Sequence, residues 1–144
     1  MKMSKPYQKP QKGQDRGQGS SALVQEILRS TDAILKGSEI EKFIELSEKF
    51  GKKCADDDVS TSQIRSIFNM VRRLPDKFTT ECKNQLNLIR PKLAYQRGRF
   101  EELQDLQTIL DALIKAVKDD KTLVNFKKFF EAIICYHKAN KGEE

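Results

Sequence analysis

From residue 22 onward the apolar residues recur at the three- and four-residue spacing of a helix face, and no stretch sustains the apolar-polar alternation of a half-buried strand. This feature confines the chain to an all-α fold, because a period near 3.6 buries a stripe along a helix and only a period of two buries one face of a strand. Leu23, Ile27, Leu28, Ile34 and Leu35 make a first stripe, ended by Gly37. Ser38 with Glu41 has the form of a capping box, opening a second helix with the stripe Ile40, Phe43, Ile44, Ser47 and Phe50 that Gly51 stops. Cys54 to Ser62 reads as a loop. Ser60 followed by Gln63 caps a third helix, which places Ile64, Ile67, Phe68, Val71 and Leu74 on one side until Pro75 and Asp76 break the pattern. A fourth helix runs from Thr79 or Thr80 to about Arg97, buries Cys82, Leu86, Ile89 and Leu93, and bends at Pro91, which removes an amide donor and crowds the preceding turn.

Phe100, Leu103, Leu106, Leu110, Leu113, Ile114 and Val117 make a fifth helix with a broad apolar side. The last helix is the most apolar. It carries Leu123, Phe126, Phe130, Ile133, Ile134 and His137, with Phe129 and Tyr136 along its edge, and is expected at the centre. Residues 1–21 hold two prolines and three glycines among Lys and Gln, a composition that cannot repay its ordering entropy. The expected architecture is therefore an all-α, compact bundle of five to six helices, one domain over residues 22–144, after a disordered basic N-terminal tail over residues 1–21.

No apolar run reaches eighteen residues and the N-terminus lacks a signal peptide's apolar middle, so a cytoplasmic protein without membrane association is expected. Cys54, Cys82 and Cys135 are odd in number and lack CxxC spacing, which suggests buried thiols rather than a disulfide framework or a thiolate metal site.

Charge is more informative when divided along the chain. The net charge of +6 is the resultant of +4 over residues 1–21, −3 over 22–59, +7 over 60–99 and −2 over 100–144. One basic block within a mildly acidic body is the electrostatic footprint of a protein that meets a polyanion through one surface. At 100° per residue, Arg65, Asn69, Arg72 and Arg73 fall together on the side of the third helix away from its apolar stripe. Arg65 and Arg72 are separated by about 10.5 Å along the axis, so two guanidinium forks can grip different phosphates of one strand. On the fourth helix Lys83, Arg90 and Arg97 recur every seven residues along one flank, while Lys92 and Arg99 lie on the other beside Leu88 and Tyr95. Few aromatic residues interleave with these cations, which favours a duplex gripped by its backbone, without base reading, over a stacking platform for single strands. A helical adaptor offering its Arg side to an acidic protein partner is the competing reading of the same pattern.

Three blocks carry a resemblance to a known family: STSQIRSIFNMVRRL from Ser60, IRPKLAYQRGR from Ile89 and FKKFFEAIICYHKA from Phe126. In order and spacing they resemble the small-subunit family of type III-A (Csm) CRISPR effector complexes, over roughly residues 59–140. The resemblance implies a non-catalytic RNA-binding subunit in antiviral defence that lines up with further copies of itself beside the backbone and large subunits. It would flank the duplex of CRISPR RNA and target RNA and touch its phosphates. It carries RNA contact onto Arg65, Arg72, Lys92, Arg97 and Arg99, which stand inside the matching blocks; Asn69, Arg73, Lys83 and Arg90 are added from helix geometry. The small subunit of type III-B (Cmr) complexes is also helical and basic, but the IRPKLAYQRGR block points away from it.

Catalytic chemistry finds little purchase. His137, the single histidine, lies on an apolar helix side and reads as a core imidazole with one hydrogen bond; Cys135, two residues away, points in nearly the opposite direction. Asp56, Asp57 and Asp58 are adjacent on a loop, without the spaced ligands of a catalytic metal site, and no glycine-rich phosphate loop is present. No enzyme activity, cofactor or metal is expected.

Overall fold

The structure is a computed structural model that describes residues 22–141. The expected tail over residues 1–21 and the last three residues of the expected domain lie outside the described residues. Every regular element described is helical: α1 (22–29), α2 (Thr31–Lys36), α3 (Ile40–Asp56), α4 (Thr61–Arg72), α5 (Thr80–Asn87), α6 (Ile89–Arg99), a 3-10 turn (Glu101–Leu103), α7 (Gln104–Ala116) and α8 (Asp120–Lys141). These are the six rods read from the periodicity, the first interrupted at Ser30 and the fourth at Leu88. No helix among the described residues is long and apolar enough to cross a membrane.

Helix ends follow local chemistry. Gly37 caps α2 at φ 67°, and the amides of Gly37 and Ser38 both reach back to the Ala33 carbonyl. Ser60 and Gln63 form a reciprocal capping box on α4, at 3.0 and 2.9 Å. The proposed box at Ser38 does not form; Glu39 occupies the N-cap of α3 without a side-chain cap bond. The fourth rod breaks at Leu88 rather than bending at Pro91. Pro91 crowds the carbonyl four residues back, that of Asn87, which is where α5 ends, and its missing amide falls harmlessly in the first turn of α6.

The core is organised around α8, which packs against α2, α3, α4 and α7. Leu123, Phe126, Phe129, Phe130 and Ile133 are fully enclosed there. Phe129 meets Phe43 of α3 edge-on at 5.2 Å, and Phe130 meets Phe68 of α4 at 5.1 Å.

The largest departure from the sequence reading is α3. Gly51 does not end this helix but lies buried within it, and the helix runs on through Cys54 to Asp56, so the expected loop shrinks to Asp57–Ser60. A Cβ at Gly51 would stand 2.7 Å from the Ile133 carbonyl oxygen, 2.7 Å from Tyr136 Cβ and 2.8 Å from the His137 amide. The glycine is therefore a contact point where α3 and α8 touch backbone to backbone. The close approach centres the buried side of α3 on Phe43, Leu46, Ser47, Phe50 and Cys54, and leaves Ile40 and Ile44 exposed, contrary to the expected stripe. Just past the C-cap Asp57, Asp58 takes the left-handed conformation at φ 70° while the Val59 amide reaches back to the Cys54 carbonyl.

Candidate nucleic-acid interface

The capping box fixes where α4 begins, and burial of Ile64, Ile67 and Val71 fixes which way it faces. Its opposite side is then determined. Arg65, Asn69, Arg72 and Arg73 are all exposed there, and none of the three arginines forms an ion pair among the described residues. Arg72 occupies the last turn of α4 and Arg97 and Arg99 that of α6, where the negative end of the helix dipole favours cations.

The row Lys83, Arg90 and Arg97 expected along one flank of the fourth helix survives in part. Lys83 on α5 and Arg97 on α6 are exposed and unpaired among the described residues, but Arg90 between them is turned inward. Its Nε donates to Asp111 Oδ1 of α7 at 2.7 Å and its Nη1 donates to Asn87 Oδ1 at 3.3 Å. The expectation that Arg90 presents a free cation is thus corrected: an acid twenty-one residues on, invisible to helix spacing, ties it into the bundle. Burial opposes ionisation of Asp111, but the hydrogen bond and charge of Arg90, with Lys115 beside it, outweigh that and hold the carboxyl below its usual range.

Lys92 and Arg99 are also exposed, on the flank of α6 that carries Leu88 and Tyr95, and the Arg99 guanidinium lies over the Phe100 ring at 4.9 Å. α4 and α6 pack against one another, so the two sets of cations stand on neighbouring elements.

Of the residues considered for catalysis, His137, Asp56 and Asp57 have partners within the fold. His137 is fully buried, with Nε2 2.7 Å from the Val59 carbonyl oxygen, as its place on the apolar side implied. Asp56 pairs with Lys52 at 3.1 Å and Asp57 with Lys53, which also reaches Asp105 of α7 at 2.6 Å. Among the described residues no group of three His, Cys, Asp or Glu is placed to hold a metal ion. Cys54 and Cys82 are the buried thiols expected, and burial pushes the Cys54 thiol well above its ordinary range. Cys135 is exposed, a correction that follows from α8 burying the sides of Ile133 and His137, on either side of it in sequence.

Fold and surface together define a class: all-helical bundles whose core is sealed by apolar stripes and which display unpaired cations from rigid helices. Within that class, the chain belongs to the Csm2 Type III-A family, whose model matches residues 37–143. It is similar to the "CRISPR system Cms protein Csm2" of Streptococcus thermophilus, with 33% identity over 93 residues that cover 60% of this chain and 76% of the relative. No solved structure matches the chain. The match takes in α3 to α8 and so every cation described above.

Proposed function

We propose that the chain is an RNA-binding, non-catalytic structural subunit of a type III-A CRISPR ribonucleoprotein, repeated in several copies that line the duplex of CRISPR RNA and target RNA. Family membership supports the structural role in the type III-A system, and the similarity to the Streptococcus thermophilus CRISPR protein supports the CRISPR setting. The observation that carries RNA contact is the exposed row Arg65, Asn69, Arg72 and Arg73, its guanidinium groups without carboxylate partners among the described residues. Guanidinium forks in this state bind phosphate oxygens in pairs, giving affinity that is salt-dependent and indifferent to sequence. Lys83 on α5 and Arg97 on α6 add two further exposed cations without carboxylate partners among the described residues. The chain's partners in this reading are CRISPR RNA, target RNA, the backbone and large subunits and further copies of itself.

The test is duplex RNA binding by the intact chain and by an Arg65→Glu, Arg72→Glu variant whose helical content is verified by circular dichroism. Affinity should fall by roughly tenfold or more at moderate salt, from two lost phosphate contacts and two new repulsions. A folded variant with unchanged affinity refutes the assignment.

A further inference from the structure

The large apolar side chains left exposed among the described residues are Ile40 at 61%, Ile44 at 39%, Leu88 at 61% and Tyr95 at 64%. They are not scattered. Two lie on α3 and two on or beside α6, and each pair is bordered by charges of one sign.

Leu88, although it interrupts the rod, keeps right-handed helical angles (φ −72°, ψ −12°), so the register carries through it. At 100° per residue, Leu88, Lys92, Tyr95 and Arg99 fall within a sector of about 60°, an apolar row beside a cationic row. On α3, Ile40 and Ile44 form an apolar row with exposed Glu41 and Glu48 beside it, neither acid ion-paired among the described residues. In each cluster the two charges are seven residues apart, a separation of about 10.5 Å along the axis. The rows therefore match in spacing, oppose in charge and both offer uncovered apolar surface.

They also belong to different parts of the bundle. α3 packs against α2 and α8, whereas α6 packs against α4, α5, α7 and the 3-10 turn. We propose that the α3 flank of one copy docks on the α6 flank of the next, Ile40 and Ile44 covering Leu88 and Tyr95 while Glu41 and Glu48 pair with Lys92 and Arg99. The contact joins unlike surfaces, so each added copy leaves one of each kind open and the assembly grows as a line. This rests on the reading that several copies line up, and it assigns Lys92 and Arg99 to a neighbouring copy, leaving the α4 row for RNA.

The test uses the full chain without RNA, followed by sedimentation and light scattering over a range of concentrations. The native chain should grow in mass with concentration. A Glu41→Lys, Glu48→Lys variant and a Lys92→Glu, Arg99→Glu variant should each associate roughly tenfold or more weakly, because like charges then face each other. Mixing the two variants should restore growth, since every junction again pairs opposite charges, and so should all four changes in one chain, a result that loss of folding cannot imitate. An Arg65→Glu, Arg72→Glu chain should still self-associate, which separates failure of this contact from failure of RNA binding. A native chain that stays monomeric, or one that stops at a closed dimer, overturns the proposal. So does reversal of Lys92 and Arg99 that abolishes RNA binding while leaving self-association intact.

Discussion

Gly51 shows how one position sets the spacing of two helices. Glycine inside a helix is unfavourable by about 1 kcal/mol relative to alanine, so its presence in mid-α3 needs a compensating gain. The gain is contact with the backbone at Ile133 and His137, which no side chain would permit. Gly51→Ala should therefore destabilise the protein by about 1–3 kcal/mol despite its better helix propensity, measured as a lower urea midpoint. A neutral or stabilising result would mean that the α3–α8 crossing relaxes freely. The sequence offered no means of telling this glycine from a helix stop, because the distinction lies in residues some eighty positions away. His137 was legible, since a lone imidazole on an apolar stripe needs a partner; only the fold reveals that the partner is the Val59 carbonyl.

Among elements, the link between α6 and α7 through Arg90 and Asp111 has a definite pH signature. Asp111 is held ionised below its ordinary range in the folded chain, so the stabilisation it contributes is present above the unfolded carboxylate pKa and is lost as pH falls through the depressed folded value. Asp111→Asn should lower the urea midpoint at neutral pH, and the gap from the native chain should narrow on acidification into the carboxylate range. A gap independent of pH would show that the ion pair does not stabilise the fold. Which element ends could be read beforehand depended on range. The Ser60–Gln63 box and the Gly37 cap are local and were visible, whereas the inward turn of Arg90 was hidden because its acid lies on a different helix.

Across the described bundle, the cations of α4 are placed by burial of the apolar side of the helix that carries them. α8 supplies the apolar centre, and the rods around it turn their remaining sides outward, α4 with its row of arginines among them. If that row grips phosphates, Arg65→Gln should reduce the slope of log affinity against log salt by about 0.7–0.9, the contribution of one released counterion. The loss should be similar for duplexes of unrelated sequence, since phosphates carry no sequence information. An unchanged slope would place the contact elsewhere on the surface.

By itself the sequence determined the helical class, the buried stripes of every rod but α3 and the concentration of positive charge between residues 60 and 99, because each depends on periodicity or composition along a single stretch of chain. Tertiary structure alone decided how closely α3 and α8 approach, which cation is consumed by an internal carboxylate, and which apolar residues stay uncovered. Those outcomes depend on what the neighbouring helix brings to the contact. Spacing along one rod says which residues share a side, but only packing between rods settles which of those sides meets solvent.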